Sequence, residues 1–509
     1  MIGSPVVTAL AMQKEEKMAF DKGALASNYM DNVARGLLKA VLEEMPFSVT
    51  IVVGKGNNGG DGAALAHLLL EEGLDVDLVC VFPKQEGSEL LQKHIETFSK
   101  KKPPIFIEDP ADYELHAEVI IDALLGTGFT DKPHGKMSEA IKMINRAKRR
   151  SIPIWSIDIP SGIDGTLGLS GDSTSTVKAD RTYFLGAAKA GVFLGRAFNY
   201  VGDLRRIDFG LEINKKTSHR LLEVRDVISV LPEISRDRNK FDAGGVVGVV
   251  NSLEMSGAAS LSSLGAFRAG AGYVRLCVPR GSCSHTSKEV CEAASLGVRF
   301  PLEAVKVPYD VMRPRLAKEI IEASFKMKAA FIGPGFSTDK KGGVLLKTLL
   351  KNLRLPLVLD GGALYHLAKG RLVIPKGSIL TPHLGELARF FDIDDFPGEK
   401  TFKKCQEFVD KHEVTLVVKG APTFIFHPKK PILISPFGSP GMAVAGSGDV
   451  LTGIIAAQRA AGLDSREAAA LGVCLHGLAG EEAALRLGPY SMMASDIMQS
   501  LPDVFMQLI

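Results

Sequence analysis

The feature that most constrains the fold is an alternation running the length of the chain. Short continuous apolar runs, each closing on glycine or a polar residue, are separated by stretches with helical spacing. In the first half the runs are SVTIVVG (48–54), DVDLVCVF (75–82), EVIIDALLG (118–126), PIWSIDIP (153–160) and RTYFLG (181–186). In the second they are GVVGVVN (245–251), YVRLCVP (273–279), AAFIG (329–333), LPLVLDG (355–361), SILTP (378–382) and TLVVKG (415–420). Runs apolar on both faces and joined by helical crossovers predict parallel sheets covered on both sides. Helices are predicted over 10–45, 62–73, 257–272, 342–353 and 449–462. The charged stretches 211–227 and 232–240 lack a long apolar run, which places a boundary near 215–230. The 509 residues exceed one ordinary core. Two α/β domains are expected, 1–222 and 223–509.

Composition narrows the function classes. With 46% hydrophobic and 23% charged residues, the chain has the balance of a soluble globular protein. A net charge of +3 leaves no nucleic-acid footprint. No secretory signal and no apolar run long enough for a transmembrane helix is evident, so a cytoplasmic protein without membrane or nucleic-acid partners is expected. Cys80, Cys277, Cys283, Cys291, Cys405 and Cys474 form no CxxC and mostly sit in apolar runs, as reduced buried thiols do. Cys277, Cys283 and Cys291 could cluster, but without metal-like spacing.

In the first half, polar residues gather where strands end. Gly54, Gly56 and Gly59 satisfy G-x-G-x-x-G, a dinucleotide-type turn. The NNGGD string within it, Asn57, Asn58, Gly59, Gly60 and Asp61, offers amides and an acid that a bare phosphate turn does not need. Asp122 lies inside the apolar run IIDALLGTG, and Asp158 inside SIDIPSGID. A buried carboxylate is costly unless paired or bound to a cation. Asn58, Asp122 and Ser161 could share one ion, and oxygen-only ligands favour an alkali or alkaline-earth cation. Each acid could instead cap a helix. Asp158 is the candidate acid/base group, buried on a strand beside a Pro-Ser-Gly turn.

In the second half, Gly446-Ser447-Gly448-Asp449 precedes an apolar helical run. N–H groups at a helix start can hold phosphate oxygens, and the acid can take a proton from an attacking hydroxyl. A glycine-rich turn capping a core helix is the plainer alternative. Lys419 could neutralise phosphate charge and Thr423 hydrogen-bond a nucleotide. His383 lacks a second ligand at metal spacing, which favours hydrogen bonding.

NNGGDG, DALLGTG and DIPSGID, with MDNVARG (30–36) and ADRTYFLGAAKAGVFLG (179–195), resemble the NAD(P)H-hydrate epimerase domain over essentially the whole first half. The resemblance implies a Rossmann-like doubly wound sheet. Asn57–Asp61, Gly126, Thr127, Gly128 and Asp158 would bind the hydrate, and Asn58, Asp122 and Ser161 would bind K⁺. From about 232 to 505, IGPGF, ILTPHLGELARFF, VVKGAPT, SPGMAVAGSGDVLTGIIA, HGLAGEEAA and ASDIMQSLP resemble the ribokinase-like ADP/ATP-dependent NAD(P)H-hydrate dehydratase. Here Ala258, Gly335, His383 and Asp449 would contact the hydrate. Lys419, Gly420, Ala421, Pro422, Thr423, Gly446, Ser447 and Gly448 would contact the nucleotide, with Mg²⁺ accompanying ADP or ATP. Val250 and Asn251 replace two glycines of the family pattern, Gly362 an acid and Ser439 an Asn.

The implied function is bifunctional cofactor repair. Asp158 would epimerise NADHX and NADPHX, the R and S hydrates. Asp449 would activate the S hydrate's hydroxyl for ADP-driven dehydration, giving AMP and phosphate. A homo-oligomer is expected. The alternative is a ribokinase-like kinase of a vitamin or small alcohol with a nucleotide-sensing N-terminal domain. A non-catalytic scaffold is a further alternative, which the acids Asp122, Asp158 and Asp449 make less attractive.

Overall fold

The computed structural model describes residues 2–169, 174–252, 255–279, 301–309, 317–370, 372–393 and 395–508. Cys283 and Cys291 lie outside them. The other four cysteines are free and buried. Two compact units form: Ser4–His219 with Asp395–Gly398, and Met1–Gly3 with Arg220–Asp394 and Glu399–Ile509. The partition is not a single cut because short segments are tied by hydrogen bonds. Gly3 donates its N–H to Asp226 (2.9 Å), Arg220 donates Nε–H to the Ile2 carbonyl (2.9 Å), and Gly195 donates to the Pro397 carbonyl (3.1 Å).

The Ser4–His219 unit contains a seven-stranded sheet, ordered Asp203–Ile207, Arg181–Leu185, Ile154–Ile157, Val119–Ala123, Ser48–Val53, Asp75–Cys80, Ile105–Phe106. Every neighbouring pair is parallel. Alternate residues feed two cores, Ile51, Leu78 and Ile121 on one face and Val52, Val79 and Ile120 on the other. Strands buried on both faces therefore read as unbroken apolar runs. The strand order reverses between Ser48–Val53 and Val119–Ala123, so the loops leaving their C-terminal ends part and open a crevice. The helix after the first of these starts at Asn57, not at 62, so NNGGD is its first turn. Gly54 and Gly59 serve backbone packing there. A Cβ on Gly54 would lie 2.1 Å from the Leu124 carbonyl oxygen, and one on Gly59 2.9 Å from that of Gly54.

The second unit has a sheet that runs Ile432–Ser435, Thr423–Phe426, Thr415–Val418, Ile379–Leu380, Leu357–Leu359, Ala329–Ile332, Gly245–Val249, Tyr273–Pro279, Val305–Tyr309. It is parallel from Thr415–Val418 onward, and the two strands before it are antiparallel, a hairpin that the predicted βα alternation did not include. Helices Ser256–Arg268, Ser447–Ala460, Ser465–Leu487 and Ala494–Leu508 share one core with the sheet. Glu399–His412 covers the other face, where Phe402 packs on Phe424 and Phe426 at ring separations of 4.8 and 5.8 Å. Each parallel strand from Thr415–Val418 to Ala329–Ile332 ends in one of the glycine or polar strings, so those strings gather along one sheet edge.

Candidate active sites

Asp158 closes the first site. It is not on its strand but one residue beyond, at φ +69°, a left-handed conformation that Asp tolerates better than most residues. Its N–H still donates to the Tyr183 carbonyl (2.8 Å), which fixes the turn. Its buried carboxylate is paired with the ammonium of Lys189, which is 1% exposed and also donates to the Leu185 carbonyl (3.0 Å). Lys189 lies in a string quoted above for the resemblance, yet nothing local marks it as Asp158's partner. Asp61, in the first turns of Asn57–Glu71, is buried nearby. Burial first, then the charges of Asp158 and Glu16, push its carboxyl well above the usual range, against a smaller pull from Lys189. An acid whose proton is held more tightly than usual thus stands by an ion-paired carboxylate, an arrangement suited to giving and taking protons.

Across the crevice, Asn58 donates Nδ2–H to the Leu125 carbonyl (3.0 Å), while its buried Oδ1 has no hydrogen-bond partner. Asp122 is wholly buried. It accepts from the Ser156 hydroxyl (2.9 Å), the Ser161 hydroxyl (2.6 Å), the Ser161 N–H (2.9 Å) and the Leu124 N–H (3.2 Å). Burial raises its pKa despite these bonds. Neither Asp122 nor Asp158 caps a helix. Asn58, Asp122 and Ser161 are brought together, and Gly126 packs on Asn58, where a Cβ would lie 3.1 Å from that of Asn58. The orphaned Asn58 oxygen and the all-oxygen set fit a hard alkali or alkaline-earth cation. Among the described residues no three His, Cys, Asp or Glu side chains converge as a metal site. Asn57 and Gly128 stay at the periphery: Asn57 is exposed, and a Cβ on Gly128 would meet nothing within 4 Å. The Thr127 carbonyl lies 3.4 Å from the Gln13 amide.

In the second unit Gly446 caps Ser447–Ala460 at φ +93°, and Asp449 occupies that helix's first turn. The Asp449 carboxyl is pushed up to about 7 by burial and by the charges of Asp360 and Glu386, with Lys419 opposing. Lys419 donates to Asp360 (2.9 Å) and lies 3.8 Å from Glu386. Burial works against its ammonium, but Asp360, Glu386 and Asp449 outweigh it and hold its pKa above the ordinary value. Asp360 also accepts from the Thr452 hydroxyl (2.8 Å). A Cβ on Gly448 would come 3.0 Å from Lys419 Nζ, so glycine lets the ammonium reach the helix start. The Ser447 N–H already donates to the Val444 carbonyl (3.3 Å), and its carbonyl accepts from His476 Nε2 (2.9 Å). Burial drives the His476 pKa down to about 4, so this imidazole is neutral.

Of the predicted nucleotide loop only Lys419 reaches Asp449's surroundings. Thr423 donates to the Gly420 carbonyl (2.9 Å), and Gly420 and Ala421 are exposed. His383 accepts from the Gly385 N–H at Nδ1 (3.0 Å) and sits with Nε2 3.5 Å from Glu386. Gly335 and Ala258 meet through the Met255 carbonyl: Ala258 donates to it (3.2 Å), and a Cβ on Gly335 would stand 2.9 Å from it. The family departures are accommodated locally. The Val250 carbonyl accepts from the Tyr309 hydroxyl (2.8 Å), and Asn251 Oδ1 accepts the Ser337 N–H. At Gly362 a Cβ would lie 1.9 Å from the Phe336 carbonyl oxygen, so the family's acid has no room there. Asp360, Thr452, Glu386 and Lys189 were not among the predicted site residues.

The folds and sites define a two-domain α/β enzyme: acids and a buried lysine at the strand ends of a doubly wound parallel sheet, and an acid beside a lysine at a helix start in a second unit built on a mixed sheet. Residues 24–191 match the family described as YjeF-related protein N-terminus, and residues 246–503 the NAD(P)H-hydrate dehydratase family. A bifunctional NAD(P)H-hydrate repair enzyme of Moorella thermoacetica is 31% identical, over 99% of this chain and 97% of its own. One from Coxiella burnetii is 31% identical over 96% of each chain, and one from Thermofilum pendens 30% identical over 99% and 95%. The chain belongs to the family of bifunctional NAD(P)H-hydrate repair enzymes, which join an epimerase to a dehydratase. Among the described residues no helix is long and apolar enough to cross a membrane.

Proposed function

We propose that Asp158, Lys189 and Asp61 carry epimerisation of the hydrates of NADH and NADPH, and that Asp449 carries ADP-dependent dehydration of the S epimer. The observation that carries the second assignment is a carboxyl in the first turn of a helix beside the half-buried Lys419, with burial and Asp360 pushing that carboxyl up to about 7. Such a group is substantially ionised at neutral pH yet basic enough to accept a proton. Asp449 takes the hydroxyl proton of the hydrate as that oxygen attacks the terminal phosphoryl group of ADP. The bond from phosphorus to AMP breaks, and AMP leaves. Lys419 and the first N–H groups of the helix offset the phosphate charge. The C–O bond then breaks with its electrons going to phosphate, and loss of a ring proton restores the dihydronicotinamide. Mg²⁺ bound with the nucleotide would add to the neutralisation of the phosphate charge.

In the first unit the C–O bond of the hydroxylated carbon breaks with its electrons on oxygen, Asp61 gives that oxygen a proton so that water leaves, and the ring nitrogen's lone pair stabilises the resulting cation. Water then adds to the opposite face, Asp158 takes its surplus proton, and transfer of that proton to Asp61 restores both groups. Asn58, Asp122 and Ser161 would hold K⁺, whose charge balances buried Asp122. Removing K⁺ by exchange into a large organic cation should slow epimerisation and leave dehydration unchanged. The test of the whole reading is recovery of NADH from a mixture of hydrate epimers with ADP, ATP or no nucleotide. Full recovery that requires a nucleotide supports both sites. No recovery with either nucleotide overturns the second assignment.

A further inference from the structure

The helix Ala9–Asp21 precedes the stretch matched by the YjeF-related family, which begins at residue 24. It nevertheless lies against the first site along one face. Ala9 donates its N–H to the Thr166 hydroxyl (3.1 Å), and its Cβ lies near Gly165, beside the stem of Lys189. Met12 is 1% exposed and packs at Gly186, between the strand of Tyr183 and Lys189. Gln13 donates to the Thr127 carbonyl (3.4 Å). Glu16 follows Met12 and Gln13 by four and three residues, which on a helix places it one turn further along that face. There it is within electrostatic reach of Asp158, Lys189 and Asp61, the charged groups that face it from three other elements.

We propose that Glu16 is a positioning residue of the epimerase site: carried on the helix face that packs beside Lys189 and the Thr127 turn, it sets a further acid toward Lys189 and Asp61. The physical reason is charge balance. Burial and Asp158 act most strongly against a further anion at Asp61, Lys189 opposes them less, and Glu16 adds to the side of Asp158. Glu16 is itself raised, first by burial and then by Asp158, with Lys189 opposing, as expected for a member of such a cluster. This inference rests on the epimerase assignment made above.

The experiment is the pH profile of interconversion of a purified single epimer of NADH hydrate, without nucleotide and corrected for spontaneous epimerisation. Full-length wild type, Glu16→Gln and Glu16→Asp are compared. Glu16→Gln keeps the shape of the side chain and removes the charge, so Asp61 loses its proton more easily. The alkaline limb of the profile should move to lower pH, and Glu16→Asp should return it toward wild type. A Glu16→Gln profile with an unmoved limb overturns the proposal, and so does one lowered equally at every pH, which marks a merely structural role. A carbon-13 titration of the aspartate carboxyls in the unmutated chain gives a second reading independent of the variants. Asp61 titrating in the ordinary carboxylate range would overturn the proposal too. If wild type itself does not interconvert the epimers, it is the epimerase assignment that fails.

Discussion

At the scale of single residues, the proposed base Asp449 acts only when ionised, so dehydration should rise with pH through about 7. Asp360 contributes to that position, because a second buried negative charge makes ionisation of Asp449 harder. Asp360→Asn removes the charge and frees Lys419 from its ion pair, leaving Asp449 and Glu386 as the acids it faces. Both changes ease ionisation, so the rising limb of kcat for dehydration should move to lower pH. Asp449→Asn should lower kcat by roughly 10²–10⁴-fold, the usual worth of a general base. In the first unit Lys189→Met should abolish epimerisation and cost about 3–5 kcal/mol of stability, since it strands the buried Asp158 carboxylate. A denaturant titration followed through the first unit's only tryptophan, Trp155, would read that loss. Asp122, Asp158, Asp449 and Lys419 stand out in the sequence because each interrupts or adjoins an apolar run. The pairings do not: Lys189 is 31 residues from Asp158, and Lys419 and Thr452 are 59 and 92 residues from Asp360, which was itself missed. Pairings over such separations leave no local pattern.

At the scale of elements, the turn Gly446–Asp449 depends on backbone shape. Gly446 has φ +93°, and a Cβ there would come 2.4 Å from Leu261 Cδ1. Gly446→Ala should therefore cost about 1–3 kcal/mol from the left-handed backbone and the contact together. It should also depress dehydration by tilting the helix start, while epimerisation in the other unit stays at the wild-type rate. Assaying both activities on one preparation separates these effects. The strands ending at the sites were legible because burial on both faces makes them unbroken apolar runs. Asp203–Ile207 was not, since DLRRI is a charged edge strand recognisable only from its parallel pairing with Arg181–Leu185. The hairpin Thr423–Phe426 and Ile432–Ser435 was hidden differently: its first strand follows the glycine-rich string after Lys419, which reads as a loop. The helix Ser465–Leu487 is apolar on most sides because it is buried on most sides, and so lacks the amphipathic period that would announce it.

At the scale of the whole molecule, two chemistries on one chain matter because neither alone empties a mixed pool of epimers. A dehydratase confined to the S epimer leaves the R epimer to slow spontaneous inversion. Asp158→Asn should thus give rapid recovery of the S fraction followed by a slow phase at the spontaneous rate. Asp449→Asn should give almost no NADH on the wild-type timescale while the epimers still equilibrate. Each unit builds its site from its own strand ends, and each site's key acids and lysine belong to that unit alone. Neither variant therefore lacks a group that the other reaction needs. An equimolar mixture of the two should restore full recovery of NADH, measured by its near-ultraviolet absorbance with ADP present, because the S hydrate leaves one chain and enters another through solvent. The mixture's rate should increase with protein concentration until it approaches that of wild type carrying the same number of each site. A mixture that stays biphasic at every concentration would mean that the hydrate is handed over within one chain, and that open exchange between independent sites is the wrong description.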